Sequence, residues 1–388
     1  MLDTMRDLVE IESGSADAEG LTRISELIAQ RLRALGGTVQ FVEPPADHPR
    51  FENAPARIGR MVQARFTGTG TRKILLLAHM DTVYTRGAIA QQPFRIDGDR
   101  AYGLGIADDK HGVALILHTL ATLKALNVTN YGQLTVLINA DEEVSSPGSR
   151  SVISRVAAEH DVVFSCEGGG QNDRVSLTTA GTGALQLHVK GRASHAGNAP
   201  DAGRNAVYEL MHQVMRTRDL SDPATGVKMN WTIVEGGTAR NVIPADATAT
   251  ADVRVLRVED YDRLEQAVRE RMRDRLIPDT EVSVVLERTR PPLPLREQSL
   301  RVAAQARQLY AEIGRTLTVE DQPSGGGTDA AFAALQTQAP VIEGMGLLGA
   351  GSHSNDREFV NISSIEPRLY LLTRLITGIA QGRVVLGN

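Results

Sequence analysis

Three short apolar runs constrain this chain more than any other feature. Residues 73–78 (Lys73-Ile74-Leu75-Leu76-Leu77-Ala78), 133–139 and 161–166 are nearly continuous in apolar residues, and each ends at a polar cluster. A strand with one wet face alternates apolar and polar residues, so unbroken runs predict strands covered on both faces. Helical periodicity lies around them. Leu8 and Ile11, then Ile24, Leu27, Ile28, Leu32 and Leu35, recur at helical spacing between 5 and 35, with a polar break at 13–20 and Gly36-Gly37 as a stop. Residues 110–126 repeat the pattern. The expected class is α/β, with a mainly parallel sheet.

The middle of the chain obeys a different rule. Gly183-Ala184-Leu185-Gln186-Leu187-His188-Val189-Lys190 alternates, which predicts a strand with one dry face. Helix at 202–218, strands at 228–235 and 246–255, helix at 258–274 and strand at 281–287 follow, the βαββαβ order of a ferredoxin-like unit. Arg290-Pro291-Pro292-Leu293-Pro294 is a stiff return linker. Beyond it come a helix at 298–313, a glycine-rich turn at 325–327, a helix from Thr328, a strand near 341 and a helix at 363–379. The expected division is 1–180 and 291–388 as two parts of one domain, with 181–290 inserted.

A length of 388 residues allows two or three domains. The net charge of -5 and a pI near 6.0 argue against general nucleic-acid binding, which needs a basic surface. Cys166 is the single cysteine, so disulfides within the chain and zinc fingers are excluded, and any metal must be held by His, Asp and Glu. No apolar run approaches the roughly 20 residues that span a bilayer, so no membrane partner is expected. Asp3 and Asp7 stand where a signal peptide needs a basic start, which predicts a cytoplasmic protein.

The polar clusters that end the strands carry the chemistry. The first run enters His79-Met80-Asp81, the second Asp141-Glu142-Glu143, the third Glu167; turns add Asp108 and His353. Ligands of open α/β sheets bind beyond the carboxyl ends of the strands, so one imidazole and several acids arrive at one rim. Asp81, two residues from His79 in extended chain, can fix its tautomer. Glu142 and Glu143 face opposite ways; one can bind metal while the other acts as general base, and parity does not say which. Clustered carboxylates repel unless cations lie between them. With Asp108 bridging, the set suits two divalent ions sharing a water, and N and O donors fit zinc, with cobalt or manganese as substitutes.

The segments Ala78-His79-Met80-Asp81-Thr82-Val83-Tyr84, Tyr102-Gly103-Leu104-Gly105-Ile106-Ala107-Asp108-Asp109-Lys110, Asp141-Glu142-Glu143, Ala193-Ser194-His195-Ala196-Gly197, Asn241-Val242-Ile243-Pro244, Gly325-Gly326-Gly327-Thr328-Asp329 and His353-Ser354 resemble the co-catalytic zinc metallopeptidases. That family includes aminoacylases, succinyl-diaminopimelate desuccinylase and the bacterial folate-cleaving glutamate carboxypeptidases, and the similarity is greatest to the last group. The resemblance implies a zinc-peptidase-type catalytic domain with an inserted dimerisation (lid) domain and a homodimer. It implies two Zn2+ per chain, one on His79, Asp108 and Glu167, the other on Asp108, Glu143 and His353. Glu142 is then the general base, Asp81 orients His79, and Asp108-Asp109 is joined by a cis peptide. His195 and Asn241 are implied to stabilise the oxyanion. Arg254, Arg290 and Arg174 match arginines that hold substrate carboxylate. Gly326, Gly327 and Thr328 would bring backbone N–H groups to the same carboxylate. His111 replaces a usual glycine, and the loop from Gly168 to Asp173 is shorter than in the carboxypeptidases.

The expected activity is cleavage of the amide bond joining an acyl or peptidyl group to a C-terminal amino acid, glutamate first. The alternatives are an aminoacylase or deacylase acting on another N-acyl amino acid, and a non-catalytic binding relative. A relative that had lost catalysis would be expected to lack the base or a ligand, and here all are present. Cys166 precedes Glu167 on one strand and points away from the proposed metals, as a small buried residue does. The glycine turn lacks the lysine of a phosphate-binding loop. His118, His188 and His212 fit surface or packing roles.

Overall fold

The structure, a computed structural model, describes residues 1–51 and 53–387. It divides into two compact units. One comprises Met1–Thr178, Leu295–Gln322 and the chain from Thr328 onward; the other comprises Thr179–Pro294 with Pro323–Gly327.

The first unit is built on a six-stranded sheet ordered Thr38–Val42, Met61–Thr67, Gln133–Asn139, Lys73–His79, Val162–Ser165, Val341–Ile342. The three apolar runs lie side by side at its centre and are parallel, as is the final strand. Thr38–Val42 and Met61–Thr67 run antiparallel to their neighbours, so the sheet is mixed rather than mainly parallel. Only residues 68–72 join Met61–Thr67 to Lys73–His79, too few for the crossover of about a dozen residues that parallel strands require. The chain must therefore reverse, and Gln133–Asn139 enters between the two. Neither antiparallel strand is among those expected from apolar patterning.

Helix His111–Ala125 packs against Lys73–His79 and against the helix Ile365–Ala380, and most of its residues are buried. A small antiparallel sheet joins Arg95–Asp97, Arg100–Tyr102, Phe359–Asn361 and Gly349–Ala350, with Phe359 opposite Tyr102.

The second unit runs strand Gly181–Lys190, helix Ala206–Thr217, strands Lys228–Gly236 and Asp246–Val255, helix Glu259–Arg271, strand Glu281–Arg290. Its sheet is wholly antiparallel, ordered Lys228–Gly236, Asp246–Val255, Gly181–Lys190, Glu281–Arg290. Leu185, Leu187 and Val189 enter a core shared with Leu210, Leu264 and Val268 of the helices, so the alternation in sequence becomes one covered face. Among the described residues no helix is long and apolar enough to cross a membrane.

Candidate metal centre

His79 closes its strand level with Asn139, the last residue of the neighbouring strand, so the turn bearing Glu142 and Glu143 starts beside it. Asp81, wholly buried, joins these ends. Its Oδ1 accepts the Glu142 backbone N–H and its Oδ2 the Glu143 backbone N–H, each at 3.1 Å, and Oδ2 also accepts the Ser15 hydroxyl at 2.8 Å. His79 Nδ1 lies 3.1 Å from the Asp81 carbonyl and 3.3 Å from its carboxylate. The opposite ring nitrogen, Nε2, is thereby turned toward Asp108.

Asp108 lies between the two histidines. One oxygen is 3.0 Å from His79 Nε2 and the other 3.3 Å from His353 Nε2, which is itself 3.1 Å from Glu143 Oε2. Asp108, Glu143 and His353 offer donor atoms all within 4.8 Å of one another, the one such group among the described residues. His79, Asp108 and Glu167 do not close to that degree. The Asp108-Asp109 peptide is cis.

Burial and mutual charge set the ionisation of these groups. Burial pushes the Glu167 carboxyl far above the usual range, with the charges of Glu343 and Glu142 adding to it. Burial also raises Glu143, against the His353 hydrogen bond. Burial opposes charge on Asp108 too, but hydrogen bonds from His353 and His79 outweigh it and hold the carboxyl low. Asp108 and Glu143 in turn push His353 up to about 10. Acids buried this close together ionise more readily when positive charge lies among them. Oxygen and imidazole nitrogen donors at these spacings fit zinc.

The remaining expected residues have specific settings. His195 Nδ1 accepts the backbone N–H groups of Gly197 (3.2 Å) and Asn198 (3.1 Å), so a neutral ring carries its proton on Nε2 and offers it as a donor. The Asn241 carbonyl accepts the Ala196 N–H at 2.9 Å, which sets the two loops side by side. Arg254 forks onto Asp252 at 2.9 and 3.0 Å and donates to the Gly325 carbonyl at 2.9 Å. Arg174 holds Glu320 at 2.7 Å. Arg290 is buried, and a Cβ at Gly327 would come within 2.4 Å of its Cδ, so a side chain there would displace the arginine. A side chain at Gly326 would meet open space apart from the Ser324 hydroxyl at 4.0 Å. Thr328 caps the short helix Asp329–Ala333, accepting the Ala330 N–H at 3.2 Å, and its hydroxyl donates to Glu343. Cys166 is buried in the core.

Glu343 and Glu358 escaped the sequence reading. Glu343 directly follows the strand Val341–Ile342, and the strand-end rule that singled out Glu167 applies to it equally. Burial raises its carboxyl to about 7. Glu358 sits in the charged run Asp356-Arg357-Glu358, which looks like solvated surface, yet it is wholly buried. A cavity of about 590 Å³ opens beside Glu143, with Ser15, Val83, Tyr84, Arg86 and Val144 also in its wall.

The model of peptidase family M20/M25/M40 matches residues 75–378. Carboxypeptidase G2 of Pseudomonas sp. (strain RS-16) is 43% identical over 384 residues, covering 99% of this chain and 90% of the relative. Acetylornithine deacetylase of Proteus mirabilis is 28% identical, covering 97% and 95%. Aminopeptidase PepT of Bacillus cereus shares the fold, with a TM-score of 0.79 at 19% identity over 98% of both chains. The chain is thus a zinc-dependent metallohydrolase of amide bonds in peptidase family M20/M25/M40.

Proposed function

We propose that the chain is a glutamate carboxypeptidase-like hydrolase, removing a C-terminal glutamate from an acyl or peptidyl group. The carrying observation is Asp108 set between His79 and His353 with Glu143 alongside, in a chain 43% identical over nearly its full length to a carboxypeptidase.

Asp108, Glu143 and His353 would hold one zinc, and His79, Asp108 and Glu167 a second; cobalt or manganese would suit the same donors. Bound cations supply Lewis acidity that brings a water's pKa toward neutrality and polarises the scissile carbonyl. Glu142, whose backbone is pinned by Asp81, takes the proton of the attacking water and returns it to the leaving amine. His195, with Nε2–H outward, and Asn241 are assigned to the carbonyl oxygen as it gains charge. Arg254 uses three of its five N–H donors on Asp252 and Gly325; the other two, on Nη1 and Nη2, are those a substrate carboxylate would take, with Arg290, Gly326 and Gly327. Arg174 uses one N–H on Glu320 and could offer others to the substrate carboxylate, and Thr328 already donates to Glu343. The cavity beside Glu143 would take the acyl part.

The second unit, read as a ferredoxin-like dimerisation domain, would pair two copies. Its strand Lys228–Gly236 is a free sheet edge with Ile233 and Val234 exposed, and its helix Ala206–Thr217 exposes Tyr208, Met211 and Met215 at i, i+3 and i+7.

Zinc analysis with a hydrolysis panel of N-acyl-glutamate, N-acyl-aspartate, N-acyl-arginine, N-acetylornithine and folate tests the reading. Glutamate amides should be cleaved fastest, and Glu142→Gln should keep its zinc while losing at least a thousandfold in kcat. Preference for a basic amino acid would favour the deacylase alternative and remove the arginine assignment.

A further inference from the structure

Glu358 touches no expected ligand, yet its carboxylate joins the segments that deliver them. Oε1 accepts the Ala107 backbone N–H at 2.8 Å, and Oε2 accepts the Gly105 N–H at 2.8 Å and the Tyr84 hydroxyl at 2.6 Å. Tyr84 Oη also lies 3.0 Å from the Ser354 carbonyl. The backbone of Glu358 is held as well, its carbonyl accepting Gln92 Nε2–H at 2.8 Å and the Gly103 N–H at 3.3 Å.

Three segments therefore meet on one buried side chain. Tyr84 lies three residues beyond Asp81, Gly105 and Ala107 lead into Asp108, and Ser354 follows His353. Two of the joined positions hold left-handed backbone. Gly105 takes φ +71, and a Cβ there would come within 2.4 Å of Thr82. His353 is a non-glycine residue at φ +65 on an exposed loop, a conformation uncommon outside glycine.

We propose that Glu358, through Tyr84, is a positioning residue: a buried clamp that fixes the Asp108 loop against the His353 loop and thereby sets the affinity of the centre for its divalent cation. The proposal rests on the metal-site reading above and extends it to residues outside the ligand set. Partners that orient metal ligands typically change affinity or activity by about 10- to 100-fold when removed.

The test compares zinc affinity, by chelator competition, in the full-length wild type, Glu358→Gln and Tyr84→Phe. Absorption spectra of the cobalt-loaded proteins and melting of the metal-free forms accompany it. Glu358→Gln keeps the shape but opposes an amide N–H2 to a backbone N–H, and should weaken zinc binding about 10- to 100-fold with altered cobalt bands. Tyr84→Phe, which removes the hydroxyl that joins Glu358 to Ser354 but leaves the Gly105 and Ala107 hydrogen bonds in place, should lose less, and saturating zinc should restore most of kcat in both. A folded Glu358→Gln that binds zinc as the wild type does overturns the clamp. If that variant does not fold, wild-type affinity in Tyr84→Phe overturns it instead. A wild-type chain that binds no zinc overturns the metal site itself, a result distinct from either.

Discussion

His111 shows how much one buried ring can bind a protein's stability to pH. Its Nδ1–H donates to the Ile106 carbonyl at 2.9 Å, and a Cβ at Gly346 would come within 2.3 Å of Nε2, so the ring fills the space that glycine leaves. Burial lowers its pKa from 6.5 to about 4. The unfolded chain therefore takes up a proton below about pH 6.5 that the folded chain refuses, and stability from this group is lost as pH falls from 6.5 toward 4. At about 1.4 kcal/mol per unit the loss reaches roughly 3 kcal/mol. His111→Asn, which keeps a donor for Ile106 without titrating, should flatten that part of the profile; denaturant midpoints of the metal-free proteins between pH 7 and 4.5 would show it, and parallel profiles would exonerate the ring. At this scale the sequence was informative about His79, Asp108, Glu143 and His353, because strand ends and short motifs mark them. Glu358 was not legible, since a carboxylate in a charged run shows nothing of its burial.

The turn carrying Glu142 and Glu143 depends on a network beneath it. Asn139 Nδ2 donates to Asp329 at 2.8 Å and to Ser149 Oγ at 3.1 Å, Ser146 donates to Asp329, and the Asp141 carboxylate accepts the Gly148 and Ser149 N–H groups at 2.6 and 3.1 Å. Ser145 and Ser146, at φ +71 and +55, are the residues this network bends. Asn139→Ala removes a donor from a buried carboxylate and should cost about 1–3 kcal/mol, with a loss of kcat as Glu142, the proposed general base, loosens. Thermal melting and steady-state rates on one preparation would check both; an unchanged melting temperature would show that the network adds nothing. The apolar runs, the long helices and the alternating strand of the insert were readable because periodicity reports burial directly. The strands Thr38–Val42 and Met61–Thr67 were not, because the first is a short edge with no fully buried residue and the direction of the second is dictated by the length of the following loop.

Assembly is the question at the scale of the molecule. An unpaired sheet edge beside an apolar helix face is a surface that soluble domains cover or blunt with charge. A double variant, Met215→Glu with Val234→Lys, should halve the mass measured by light scattering at micromolar concentration without lowering zinc content. A wild type that is already monomeric would remove the dimer proposal. By itself the sequence determined the α/β class and the alternating insert, and it limited any metal ligands to His, Asp and Glu, since residue type, spacing and a single cysteine are local facts. Tertiary structure alone decided that the sheet is mixed, that Arg254 and Arg174 already hold acids, that Thr328 turns inward to Glu343, and that Glu358 lies beneath the metal loops. Each of these depends on which distant segment arrives beside a residue, and a hydrogen bond across 253 residues of chain leaves no periodic trace for the sequence to show.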